Sequence, residues 1–222
     1  DENTGSLKPD WLHIDISDEL RADSQRICDV LGQALIDDFP FLDGVEAQNI
    51  DLVEALLAQN WRPTLSITGA GGMPSLEQAG NVLRTHTDLK VSVRIPPGVE
   101  SEPASVMLKQ LLEADPPHGA HVSMTLDTAA NGFAAPPMPA AVDAALDVAS
   151  QRFFDNGLMP FYEGGTIPFM AMMQESYPDA RYLVTGAAGP GNNAHGPDEK
   201  LHVPTAKAVT KCVSAALAAI CD

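Results

Sequence analysis

From Glu19 to Phe39 the apolar residues Leu20, Ile27, Val30, Leu31, Ala34 and Leu35 recur at helical spacing, predicting a first helix that ends before a turn at Pro40 and Gly44. Residues 51–58, DLVEALLA, predict a short second helix. After Trp61 and Arg62 the period falls to two. Leu65 and Ile67 alternate with Thr64, Ser66 and Thr68, as expected of a strand, and the glycine-rich stretch GAGGMPSLEQAGN predicts a loop. LKVSVRI has the clearest alternation in the chain: Leu89, Val91, Val93 and Ile95 point one way, and Lys90, Ser92 and Arg94 the other. One buried face and one wet face are expected.

Pro96-Pro97-Gly98 stops this strand, a helix follows from about Glu102 to Ala114, and HVSMTLD alternates again through Val122, Met124 and Leu126. Strand, strand, helix, strand fits an antiparallel sheet with helices on one face, an α+β layer. At Ala134 the pattern changes. AAPPMP reads as a proline-rich connector, and Val142, Ala145, Leu146, Ala149 and Phe153 mark a helix facing a different core. A Gly-Gly turn opening a helix (EGGTIPFMAMMQES), a short strand at YLVTG, a Gly/Asn loop at AAGPGNNAHGPDE and a final helix through Val209, Val213, Leu217 and Ile220 complete the chain. This resembles the tail of an α/β sheet, too small to stand alone. The predicted domains are 1–133 and 134–222.

Charge narrows the partners. Against 13 Lys and Arg stand 30 Asp and Glu, a formal net charge of −17, which repels phosphate backbones and anionic headgroups. Neither nucleic acid nor a membrane surface is an expected partner. No stretch approaches eighteen uninterrupted apolar residues, and the N-terminus DENTGSLKPDW is acidic and polar rather than a basic lead into an apolar run. Cys28, Cys212 and Cys221 have apolar neighbours and no CxxC spacing, and read as buried thiols in a reducing, cytoplasmic setting.

Three stretches pair special backbone chemistry with a polar group. The loop from Gly189 to Glu199 lies just past a predicted strand's C-terminal end, where open α/β sheets place ligands. His195 in that loop is either a metal ligand, with Asp198 and Glu199 orienting its surroundings, or a solvated or loop-stapling side chain. In Glu163-Gly164-Gly165-Thr166-Ile167-Pro168, two glycines, a capping Thr and an early Pro suit a tight helix start. Its free N–H groups either bind a carboxylate or simply begin a helix. Third, Asn81 lies close before a strand whose wet face carries Arg94, either a bidentate carboxylate clamp or a solvated guanidinium.

Taken in order, WRPTLSITGA, AGNVLRTHTDLKVSVRIPPG, EGGTIPFM and NNAHGPDEKLH resemble the M20 family of metallopeptidases, in the branch of carnosinase-like dipeptidases. The likeness runs from about Glu19 to the end. It implies most of an α+β lid and dimerisation domain, followed by the C-terminal part of an α/β zinc-peptidase catalytic domain. By the same resemblance His195 is the last ligand of a two-zinc centre, and Gly164, Gly165 and Thr166 bind the substrate's carboxylate end. Asn81 and Arg94 reach from the lid into a site, often that of the partner subunit in a homodimer.

The family's HxD motif, bridging Asp, Glu-Glu pair with its general base, further carboxylate and lid HSG histidine have no counterpart here. The lid's first strand and helix are missing too. The expectation is therefore the C-terminal half of an enzyme for dipeptides or aminoacyl amides, inactive by itself, with no catalytic residue of its own. A non-catalytic dimerisation module, or a split enzyme completed by a separate N-terminal chain, are the competing readings.

Overall fold

The computed structural model describes residues 1, 3–37, 39–47, 51–162 and 167–221. The chain divides into two compact units, one of residues 1–133 and 162–176, the other of residues 134–161 and 177–222.

In the first unit, helix α1 (Asp18–Leu31) opens on Ser17, whose side chain accepts from the Leu20 N–H at 3.2 Å, with Asp18 and Glu19 in the favourable first turn. The helix expected to run on to Phe39 stops at Gly32. There the backbone turns to φ 53° while the Gly32 N–H bonds the Cys28 carbonyl at 2.8 Å, and only a one-turn helix, α2 (Ala34–Asp37), follows. Helix α3 (Leu52–Trp61) runs three residues past its predicted end and begins at Asp51, which accepts from the Glu54 N–H at 3.0 Å. It packs on α1. Leu56 and Leu57 are buried on α3, Ser24 and Ile27 on α1, and the Glu54 carboxylate binds Arg21 at 2.5 Å and Arg62 at 2.6 Å.

Strand β1 (Thr64–Gly71) pairs antiparallel with β2 (Asp88–Arg94), as the alternation predicts. Leu65 faces Val93 and Ile67 faces Val91; then a bulge at Thr68 shifts the register so that Ala70 faces Leu89. These pairs form one apolar face. The expectation that this face is buried is corrected, because Leu65, Ile67, Leu89 and Val91 are 52%, 60%, 53% and 46% exposed. Burial begins only where the strand ends: Ile95 and Val99 join Leu12 and Ala104, with Leu7, Trp11, Ile14 and Val93 packed against them. The outer part of a two-stranded sheet has no cover from its own two strands.

Helix α4 (Ser101–Ala114) follows. The strand expected at 121–127 is absent, and the side chains of α4 supply the reason. The Met124 N–H donates to Glu113 Oε1 at 2.6 Å, and the Met124 carbonyl accepts from Lys109 Nζ at 2.6 Å, so side chains occupy groups that a ladder would use. The Lys109 ammonium, then the Met124 N–H, hold the Glu113 carboxyl below its ordinary range. Helix α6 (Pro168–Ser176) also belongs to this unit.

The second unit rests on helix α5 (Ala140–Phe154) packed against helix α7 (Val203–Cys221), with Val142, Leu146 and Ala216 buried between them and Met138 and Cys212 alongside. Lys211 Nζ stands 4.9 Å and Arg152 Cζ 5.4 Å from the Phe153 ring centre. By length and composition alone α7 would span a membrane, its mean hydropathy reaching 1.3. It nevertheless carries Lys207 and Lys211, and its Ala216 and Cys212 pack against Val142 and Leu146 of α5. The strand expected at 182–186 does not form a ladder among the described residues. A single strand without a neighbour has nothing to pair with. Of the three free thiols only Cys28 is buried; Cys212 is half-buried and Cys221 exposed, which corrects the expectation of three buried cysteines.

Candidate functional site

In the second unit the loop from Gly189 to His202 is closed by its own backbone. The Asn192 N–H donates to the Gly189 carbonyl at 3.2 Å, and the Lys200 N–H to the Asn192 carbonyl at 2.9 Å. At its foot a Cβ on Gly189 would come within 2.5 Å of the His202 Cβ, so only glycine allows this approach. His202 then starts α7: its Nδ1 lies 2.8 Å from Thr205 Oγ1 and accepts from the Thr205 N–H at 3.4 Å.

At the loop's tip, residues 193–196 form a turn in which the Gly196 N–H donates to the Asn193 carbonyl at 3.0 Å. His195 sits third in that turn with φ 61°, a left-handed conformation normally left to Gly or Asn. Its exposed imidazole has no hydrogen-bond partner among the described residues. Asp198, with φ 58°, and Glu199 are also exposed, and among the described residues no hydrogen bond joins either to the His195 ring.

A neutral imidazole free on such a loop suits one bond to a metal. Among the described residues, however, no group of three or more His, Cys, Asp or Glu is placed to hold an ion. Since a catalytic zinc takes about three protein ligands, the donor set of these residues does not make a zinc centre by itself.

The other candidates lie in the first unit. Asn81 is exposed at the centre of a three-residue turn, closed by the Val82 N–H on the Gly80 carbonyl at 2.9 Å, in the loop joining β1 to β2. Arg94 ends β2 opposite Thr64, exposed on the polar face with Lys90 and Ser92. At about 3.4 Å per residue it stands roughly 20 Å along the strand from Asp88, where that loop arrives. Gly164, Gly165 and Thr166 lie outside the described residues.

Immediately before them in sequence is an anchor that pattern reading missed. Tyr162 donates its O–H to Asp23 Oδ2 at 2.7 Å, and its ring meets Trp61 edge-on at 5.2 Å between centres. Burial, then the hydrogen bond and charge of Asp23, push the Tyr162 phenol up to about 12. The contact spans 139 residues of sequence, so no local pattern announces it.

No family model matches the chain. It is 25% identical over 167 residues to the cysteinylglycine-S-conjugate dipeptidase of Corynebacterium striatum, covering 75% of this chain and 35% of that protein. Among solved structures it is similar to the dipeptidase Dug1p of Saccharomyces cerevisiae, with a TM-score of 0.69 and 19% identity over 95% of this chain and 43% of that one. Human carnosine dipeptidase 1 gives 0.69 and 18% over 98% and 48%. The M20 family metallo-carboxypeptidase Sso-CP2 of Sulfolobus solfataricus gives 0.64 and 15% over 92% and 45%. The chain thus spans about a third of the curated relative and under half of each of these structures. Fold likeness over nine tenths or more of the chain shows that it shares the fold of the corresponding part of these dipeptidases and of the M20 family metallo-carboxypeptidase.

Proposed function

We propose that this chain supplies part of the site of an M20-type peptidase hydrolysing dipeptides or aminoacyl amide bonds, the other metal ligands and the general base coming from residues outside these 222. The observation that carries the reading is His195: an exposed imidazole, without a hydrogen-bond partner among the described residues, held at φ 61° on a self-bonded loop in a chain with this fold. Residues 1–133 act as lid and dimerisation domain, and 134–222 as the C-terminal portion of the catalytic domain. His195 gives one ligand to a two-zinc centre, with Asp198 and Glu199 orienting its surroundings.

Substrate recognition falls to the other candidates. The Arg94 guanidinium takes a substrate carboxylate in bidentate fashion, Asn81 adds a hydrogen bond from the loop between the strands, and Gly164, Gly165 and Thr166 bind the carboxylate end. The working form is a cytoplasmic homodimer joined through the lid.

A second reading, a non-catalytic dimerisation module, draws on the exposed apolar face of Leu65, Ile67, Leu89 and Val91. The test is metal content and hydrolysis of a dipeptide panel, measured on the full-length protein and on this chain. Roughly two zinc ions per subunit and cleavage by the full-length protein alone are expected. A full-length protein that binds no zinc and cleaves no dipeptide refutes the proposal and leaves the module.

A further inference from the structure

We infer that the groove between helices α2 and α3 docks a short amphipathic helix of another protein, apolar on the face it inserts and carrying Lys or Arg on its flanks. No residue that forms the groove takes part in the proposed hydrolysis.

The groove has a volume of about 220 Å³. Buried Leu56 lies at its floor, Leu35 and Ile36 of α2 line one wall, Leu52 and Ala55 of α3 the other, and Phe39, 50% exposed, stands at its mouth. The chain beyond leaves Phe41, Leu42 and Val45 exposed as well, with the Phe41 ring centre 6.1 Å from that of Phe39. Apolar side chains gathered in the open in this way mark a surface that another molecule covers. A free small molecule usually occupies roughly 300–1,000 Å³, so this groove suits one or two side chains of a larger partner. Both walls are helices and offer no strand edge to pair with, which leaves a helix laid along the groove as the mode of docking.

Charge fixes the partner's sign. From Ile27 to Trp61 the sequence has no Lys, Arg or His, and Asp29, Asp37, Asp43, Glu46 and Asp51 in that stretch are all exposed. The Glu54 carboxylate is taken up by Arg21 and Arg62, from outside the stretch. Asp37 directly follows Ile36 and Asp51 directly precedes Leu52, so each wall adjoins a negative charge. A chain of net charge −17 draws in a cationic segment and repels an anionic one. A second copy would set this acidic stretch against itself, since a two-fold interface brings the same patch of both subunits together. Apolar residues one helical turn apart supply the affinity, and flanking Lys or Arg facing Asp37, Asp43 and Glu46 supply the rate of association.

The experiment titrates a labelled synthetic helix, with Leu at i, i+4 and i+7 and Lys on both flanks, with the full-length protein and follows fluorescence anisotropy. A second helix has Glu for every Lys. Saturable binding of the Lys helix alone is expected. Phe39→Ala should weaken its Kd by about tenfold or more, and Asp37→Lys with Asp43→Lys should slow association by about tenfold at low salt and little at high salt, each with the parent's melting temperature. In parallel, Phe39→Cys is treated with a maleimide and the modified position mapped by mass spectrometry; labelling that the Lys helix blocks supports the docking. Position 39 unlabelled in the monomer means that the rest of the same protein covers the groove, and labelling that falls as protein concentration rises means that a second copy does; either overturns the inference. Equal binding of the Glu helix, a Kd unchanged by Phe39→Ala, or no binding of the Lys helix overturns it as well.

Discussion

Replacing Tyr162 with Phe removes one oxygen and leaves the ring against Trp61, so it isolates the hydrogen bond to Asp23. A hydrogen bond to a charged group contributes about 1.5–3 kcal/mol net when well buried. Tyr162 is half-buried and Asp23 also pairs with Arg26, which lowers the expected loss to about 1 kcal/mol. The phenol's pKa supports that size. A rise from 10 to about 12 corresponds to roughly 2.7 kcal/mol before solvent screening. Its largest cause is burial of the ring rather than the bond to Asp23, so the hydroxyl's own share is well under the total. The sign follows from the direction of the shift. A phenol whose folded pKa is raised contributes stability that is complete below pH 10 and is lost as pH climbs toward about 12. Urea unfolding followed by tryptophan fluorescence should show the Phe variant less stable by about 1 kcal/mol near neutral pH, a fall of about 2–4 °C in Tm, and without the parent's extra decline above pH 10. A variant as stable as the parent, with the same alkaline decline, would refute the anchoring role.

Three further outcomes follow from the same geometry. The Glu54 carboxyl is held below its ordinary 4.5 by the Arg21 hydrogen bond, with Arg62 adding to it. Its stabilisation is therefore present above that pH and lost as pH falls through the lowered value; Glu54→Gln should cost about 1 kcal/mol in low-salt urea titrations, less in high salt, and flatten that acid limb. Leu57→Ala, at a fully buried position, should cost about 2–5 kcal/mol by the same titration. Gly189→Ala forces a Cβ against His202 and should cost about 1–3 kcal/mol, with circular dichroism showing early loss of helix from α7.

Periodicity located the helices and the hairpin, because those patterns are local. α1, α3, α4, α5 and α7 appear where apolar residues recur at helical spacing, and β1 pairs with β2 as the alternation of 64–68 and 89–95 implies. Alternation alone does not make a strand, however. Residues 121–127 alternate as cleanly as β2, yet their backbone is engaged by Lys109 and Glu113 of α4. Nor does alternation say what covers a face. Leu89 and Val91 follow the pattern of buried residues and are about half exposed, since burial depends on a neighbouring layer and not on the strand that carries them.

The candidate residue was legible in a different way. A Gly/Asn/Pro run announces an irregular loop, and a histidine within it stands out by residue type, which is how His195 is reached from sequence. Its left-handed backbone, which His118 shares at φ 58°, is not legible in the same way, because φ cannot be read from a residue whose conformational preference points elsewhere. A glycine at position 195 would relax the turn, so a histidine there opposes the local preference, and the bond from the Asn193 amide to the Pro197 carbonyl and the bare Cα of Gly196 offset that opposition. The same logic separates His195 from His202, whose ring is engaged with Thr205 at the start of α7. One histidine is occupied in holding a helix end, while the other is held, at a conformational cost, with a ring that has no partner among the described residues.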